Sequence, residues 1–525
     1  MMPSETHAFN MADYAIGRQA RATPQKTALL VYDVQNPRTP LETWTFKEID
    51  RAIRNVAAGL RSKGLQRGDR IGIRLGNSSY SALLFFAAIA GGFVALPLSD
   101  QLTLSELTAL LEDSEAAAIA TADALPESIA RRSIIAISPA DVREMIASET
   151  SNACAATSEN DPAFLIYTSG TTARPKGVLH AHRSALGRRP MYQGWYGIRP
   201  DDRMLHAGAF NWTFTLGVGL TDPWANGATA IVCVGDKAPE LWPNLIAQTG
   251  ATLFAAVPGV YRQILKYAEP TRGAFGNLRH GLMAGETPPP SLIEDWTATT
   301  GLPLYEALGM SEISTYISTG PSVPYKPGTV GKAQAGRRIA ILPVVAGDDN
   351  PLPPNSEGLI AVHRSDPGLM LGYWRRPDEE TEVFRGEWFT GGDLGSMDDD
   401  GYISHRGRAN ELMNAGGYRV SPLEVEAAIA RCPAVAEVAC AEVPVRSGVS
   451  IIAAFVVPAD TANRDTQPIK AFATENLAAY KVPREIVFVD HIPRTANGKI
   501  QRKALAAALS SAGTGEDAQR AGERL

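Results

Sequence analysis

Residues 163–178 read AFLIYTSGTTARPKGV, an apolar run that passes directly into a loop of hydroxyls and glycine and then meets a lysine. The first five residues suit a strand buried on both faces, as in parallel sheet. Thr168, Ser169, Gly170, Thr171 and Thr172 are small enough to let the backbone approach phosphate oxygens, and Lys176 adds positive charge. A surface turn can share this composition, but not the hydrophobic strand that feeds it in this order. The ending is Pro175-Lys176-Gly177, so this is not the GK[ST] loop of P-loop nucleotidases. The stretch therefore predicts a phosphate-handling loop at the end of a strand in an α/β fold.

Working outward, short apolar runs alternate with helical patterns up to about residue 400: RIGIRL at 70–75, ATAIVCV at 228–234 and ATLFAAV at 251–257. Such alternation predicts βαβ units and mostly parallel sheet. Thr45 followed by Glu48 makes a capping box, and Phe46, Ile49, Ile53, Val56, Ala57 and Leu60 recur at helical spacing before a turn at Gly64. Tyr80–Leu98 is uncharged and nearly bilayer-length, but Gly91-Gly92 divides it into a helix and a strand, which predicts a buried core unit rather than a span.

After Gly407 the texture changes. SPLEVEAAIARCP predicts a capped helix, VAEVACAEV and SIIAAFVV predict strands, and a further helix and IVFVD follow. The fold class is α/β, with a large N-terminal domain of layered sheets and helices over 1–409 and a small mobile α+β domain over 410–510; SSAGTGEDAQRAGERL, dominated by 511–525, predicts a flexible tail.

The chain has 525 residues, 45% hydrophobic and 20% charged, with a formal net charge of −6. No basic stripe asks for nucleic acid; Arg183 with Arg188 and Arg189, and Arg375 with Arg376, read as solvated faces. Cys154, Cys233, Cys432 and Cys440 lack metal or disulfide spacing, and the amino terminus lacks a secretory pattern, so a reducing cytoplasm is expected.

YTSGTTARPKG resembles the signature loop of the adenylate-forming superfamily: acyl-CoA synthetases, benzoate-type CoA ligases, peptide-synthetase adenylation domains and luciferases. Further matches follow in the family's order from about residue 40 to 503. LMAGET at 282–287 resembles the segment along the adenine, which implies nucleotide contacts for Gly285 and Glu286. YEALGMSE at 305–312 resembles the next one. It implies that Glu306, Ala307, Leu308 and Gly309 line the adenine, that Ser311 stands near phosphate, and that Glu312 holds Mg2+, a cation that needs only one or two carboxylates.

TGGDLG at 390–395 resembles the ribose segment, with Asp393 accepting from the hydroxyls between glycine-flanked turns and Arg408 joining it. Asn410 stands at the family's hinge, where aspartate or lysine is usual. Lys499 in PRTANGKIQRK resembles the late lysine that bridges carboxylate and α-phosphate, and Gly416-Gly417-Tyr418 the segment beside the pantetheine arm. AGAFNWTFTLG at 207–217 resembles the acid-pocket segment, so Phe210, Trp212 and Phe214, with Gly309, are the pocket candidates.

The resemblance implies an AMP-forming acyl-CoA synthetase using ATP, Mg2+ and coenzyme A, with Lys499, Glu312, Thr168 and Lys176 as the catalytic set. The acid is expected to be an aromatic, alicyclic or medium-chain carboxylic acid, and a homodimer is left open. No Ser-His-Asp or Cys-His grouping competes, because positioning and electrostatics suffice for in-line adenylyl transfer. Two alternatives stand beside this reading: loading of a carrier protein, and a nucleotide-binding regulator without catalysis.

Overall fold

The structure, a computed structural model, describes residues 8–125, 129, 133–149, 153–168, 176–286, 288, 290–345, 347, 349–415, 418–446, 449–494 and 500–512. Among these residues the chain builds a large N-terminal part around three sheets and a small C-terminal part around two.

Two of the large sheets are mainly parallel. A nine-stranded sheet has at its centre Leu304–Met310, His280–Ala284, Leu253–Ala256, Arg203–His206, Thr229–Val234 and Thr27–Asp33, all mutually parallel. A seven-stranded sheet carries Pro162–Thr168, Val94–Pro97, Arg70–Arg74, Ala116–Thr121 and Ile135–Ile137 in parallel order. These runs lack polar alternation because both faces are covered.

The helices Phe46–Ser62 and Ser79–Gly91 share one core with inward residues of both sheets, among them Val31, Ala230 and Leu282 from one and Ile73, Ala120 and Ile166 from the other. The first helix begins with the expected capping box, Thr45 and Glu48 bonding reciprocally, and its chain turns at Gly64 with φ +94°. The second is buried on every side from Ser81 to Gly91 and closes at Gly92, which adopts φ +77° before the strand Val94–Pro97. Burying Leu83, Leu84, Phe85, Phe86 and Ile89 contributes about 1.5–3 kcal/mol each, so one charge at Phe86 would break this layer. No helix among the described residues is long and apolar enough to cross a membrane.

The expectation of mostly parallel sheet fails over 339–408. There Ile339–Leu342, Glu357–His363, Trp388–Met397, Phe384–Arg385 and Ile403–Arg408 form a wholly antiparallel sheet. TGGDLG is accordingly no glycine-flanked turn but the middle of the ten-residue strand Trp388–Met397. Ladders on both sides hold that strand extended, and Gly392, at φ +84°, sits where the pairing with Glu357–His363 shifts register.

The basic clusters also need correction. Arg188 is buried, its guanidinium clamped on Asp222 at 2.7 Å and donating to the Ser314 hydroxyl. Arg183 donates to the carbonyls of Pro367 and Leu369. Arg189 is exposed as expected, and Arg375 with Glu115 and Arg376 with Asp113 form surface pairs.

Past Arg408 the chain makes a short helical turn, Ala409–Glu411, the hairpin Met413–Ala415 with Tyr418–Val420, and the capped helix Pro422–Ile429. The sheet Val435–Arg446, Val449–Pro458 and Glu485–Phe488 completes the small part, around cores of its own. The last helix, Arg502–Ala512, runs two residues into the segment expected to be tail. Its Leu505 and Leu509 are buried against the sheet, which holds it there.

Candidate active site

A cleft of about 950 Å³ separates the large part from the small one. The C-terminal ends of parallel strands open into it, the usual ligand position in α/β sheets. Gly285, Glu286, Glu306, Ala307, Leu308, Gly309, Asp393 and Arg408 all line it. Eight candidates chosen from four separate stretches of sequence therefore converge on one cavity.

Gly285 follows the strand His280–Ala284 at φ +105°, and a β-carbon there would lie 3.1 Å from the Trp212 ring. Glycine is needed on both counts. Glu306 is buried, and the loss of water pushes its carboxyl up to about 8. Asp393 and Arg408 face each other across adjacent strands with Nε to Oδ1 at 3.4 Å, and His405 Nε2 is 3.3 Å from the same oxygen. Asp393, foremost, holds the Arg408 guanidinium well above its ordinary value.

Thr168 and Lys176 pair across the base of the signature hairpin, ending one strand and starting the next. Ser169, Gly170, Thr171 and Thr172 lie outside the described residues, as do Gly416, Gly417 and Lys499. Of Tyr418 only the backbone, at the start of a strand, is described; likewise Asn410, within the helical turn.

Lys176 is ion-paired with Glu379, on the helix Pro377–Val383, and its Nζ lies 5.4 Å from the centre of the Tyr373 ring. The Tyr373 hydroxyl donates to Glu312 Oε1 at 2.8 Å. One tyrosine thus ties the loop lysine to the candidate metal carboxylate. The segment between Leu308 and Glu312 is anchored from below by His180, whose Nε2 is 2.8 Å from the Ser311 carbonyl. Among the described residues no group of three or more His, Cys, Asp or Glu could hold a metal alone. A single carboxylate such as Glu312 fits a hard cation that completes its shell with phosphate oxygens and water.

Of the three pocket aromatics, Trp212 lies beside Gly285 and Phe210 lies near Gly219. Trp212 and Phe214 meet edge to face with centroids 5.3 Å apart, and His206 packs on Phe214 at 4.6 Å. Phe210 is fixed by its backbone N–H, which donates to Asn77 at 2.9 Å. Burial pushes His206 down to about 3, so this wall is uncharged. The β-carbon direction of Gly309 meets the backbone of Ser314 and Thr315 within 2.8 Å, so this glycine packs against the neighbouring strand as well as lining the cleft.

Tyr373, Glu379, His405, Asn77 and the charged group Arg262, Glu437 and Arg494 were missed in the sequence. Only the acidic run Asp378–Glu380 offered a local signal.

Comparison with known proteins fits this geometry. The chain is 29% identical to the 3-hydroxybenzoate–CoA/4-hydroxybenzoate–CoA ligase of Thauera aromatica, over 94% of this chain and 96% of that protein. It is 30% identical to the acetyl-coenzyme A synthetase of Bacillus subtilis, over 96% and 91%. Its fold superposes on a benzoate CoA ligase from Burkholderia xenovorans with a TM-score of 0.84 and 27% identity, covering 95% of this chain and 100% of the other. The model for the AMP-binding enzyme C-terminal domain matches residues 424–499. The AMP-binding enzyme model itself matches residues 16–374, well over half the chain, and the protein belongs to that family.

Proposed function

We infer that this protein is an AMP-forming acid–thiol ligase, converting a carboxylic acid, ATP and coenzyme A to acyl-CoA, AMP and pyrophosphate by way of an acyl-adenylate. The observation that carries the reading is the cleft, where the adenine and ribose candidates meet although they lie far apart in sequence.

In this reading the strand ends at Gly285 and Glu306–Gly309 receive the adenine, and Asp393 accepts from the ribose hydroxyls while Arg408 neutralises it. Lys176 exchanges Glu379 for phosphate oxygens, as a lysine poised against one anion can do for a stronger one. Glu312 is the carboxylate for Mg2+, which supplies charge neutralisation on the phosphates when bound. The carboxylate of the acid attacks the α-phosphorus in line, pyrophosphate leaves, and the thiol then displaces AMP. Positioning and fixed charges supply the acceleration, with no protein nucleophile. Lys499 delivers positive charge to the first step, and rotation about Asn410, between a large domain over 1–409 and a small one over 410–510, replaces it with the Gly416–Tyr418 segment for the second.

The acid is aromatic, alicyclic or medium-chain. The uncharged wall of Phe210, Trp212, Phe214 and neutral His206 supports this, and so do relatives that act on benzoates. Four free cysteines support a reducing, cytoplasmic setting. Loading of a carrier protein and a non-catalytic nucleotide sensor are less well supported, because the relatives are CoA ligases.

The test is AMP and pyrophosphate release on a panel of acids, with and without coenzyme A, in wild type and Lys499→Ala. Acid-dependent AMP and thioester that collapse in the variant are expected. Pyrophosphate without thioester would move the acceptor to a carrier protein, and no turnover on any acid would remove the ligase reading.

A further inference from the structure

The strand Lys176–Ala181 starts at the loop lysine and carries His180 near its end. Residues an even number apart on a strand share a face, so Lys176 and His180 point to the same side. His180 is 2% exposed, and its ring stacks on Phe164 of the neighbouring strand with centroids 4.6 Å apart and planes at 14°. This strand belongs to the seven-stranded sheet. Its His180 Nε2 nevertheless lies 2.8 Å from the Ser311 carbonyl, in the turn between Leu304–Met310 and Ser314–Ser318 of the nine-stranded sheet.

A carbonyl can only accept, so Nε2 carries the proton and Nδ1 is left as an acceptor. Burial pushes the ring down to about 4, which keeps it neutral with that single donor at neutral pH. Among the described residues Nδ1 has no protein partner, and neither has the Ser184 hydroxyl. Both residues line a cavity of about 20 Å³, room for one water to serve them.

The turn is held at three further points. The Met370 N–H donates to the Glu312 carbonyl at 2.7 Å, the Tyr373 hydroxyl donates to the Glu312 carboxylate at 2.8 Å, and Arg188 donates to the Ser314 hydroxyl. Tyr373 pairs with Val178, so one sheet edge carries Lys176, Tyr373 and His180. Of the two side chains on this edge that bond the turn, His180 holds the backbone just before Glu312 and leaves the carboxylate untouched.

We propose that His180 is a positioning residue for Glu312: its Nε2–H locks the Ser311–Glu312 turn of one sheet to the Lys176-bearing strand of the other, and so sets the spacing of two charges that meet the metal–triphosphate end of ATP. This rests on the ligase reading above and adds to it the contact that aligns the two sheets at the phosphates.

Glutamine and asparagine separate a held donor from a filled volume, because a glutamine amide reaches the place of Nε2 and an asparagine amide only that of Nδ1. Removing the donor leaves a buried carbonyl unpaired, so His180→Asn, and independently the apolar His180→Phe, should weaken MgATP binding about tenfold in calorimetry on the full chain without acid. AMP lacks the β- and γ-phosphates and should bind these variants as it binds wild type. His180→Gln should recover most of the MgATP affinity. The magnesium concentration for half-maximal pyrophosphate release should rise in the first two variants and return towards wild type in the third. Unchanged MgATP affinity in His180→Asn or His180→Phe, equal losses for MgATP and AMP, or glutamine no better than asparagine would overturn the proposal. Wild-type protein that binds neither nucleotide would instead remove the ligase reading, and this inference with it.

Discussion

Replacing Glu306 by glutamine should make the protein's stability less sensitive to alkaline pH, by an amount the structure sets. The carboxyl is buried in the strand Leu304–Met310, and desolvation pushes it up to about 8 from its ordinary 4.5. In the unfolded chain it loses its proton near 4.5. Between the two values the folded protein holds one proton more than the unfolded one, so stability falls as pH rises. The fall is about 1.4 kcal/mol per pH unit, hence roughly 4 kcal/mol between pH 5 and the plateau above pH 8. Glutamine has the same shape and does not titrate. Denaturant unfolding of wild type and Glu306→Gln at pH 5, 7 and 9 should therefore show the difference moving in favour of the variant by a few kcal/mol. Glu426, pushed up to about 7 by burial, is common to both proteins and cancels. A difference that stays constant from pH 5 to 9 would refute the reasoning, because Glu306 would then be ionised alike in both states.

Two further outcomes are expected. Glu379→Gln removes the ion pair that occupies Lys176; a partly exposed pair is worth up to about 1 kcal/mol, so the KM for ATP should fall severalfold, and an unchanged or higher KM in pyrophosphate release would show that the pair helps rather than competes. Trp212→Ala removes the ring that lies against Gly285; the ratio of kcat/KM for a bulkier acid over a smaller one should rise about tenfold or more, and an unchanged ratio in thioester assays would take Trp212 out of the pocket wall.

Local chemistry made much of this protein legible in its sequence. The capping box at Thr45, the Gly91-Gly92 division and the apolar strands each depend on neighbours a few residues away, and the structure keeps them. The antiparallel sheet over 339–408 was not legible, because TGGDLG carries the composition of a turn and only pairing on both sides extends it. Nor was the burial of Arg188, whose partner Asp222 lies 34 residues away and whose hydroxyl contact Ser314 lies 126 away.

The sequence by itself determined the class of fold and the phosphate-loop candidates, since strand, loop and glycine chemistry is written in short stretches, and its resemblance to the adenylate-forming superfamily supplied the adenine and ribose candidates. Tertiary structure alone decided that Tyr373 joins Lys176 to Glu312, that Glu379 occupies the loop lysine, and that Arg494 reaches across to Glu286. These are meetings of charges and hydroxyls from distant segments. Their energies depend on distance and burial, quantities that exist only once the chain has folded.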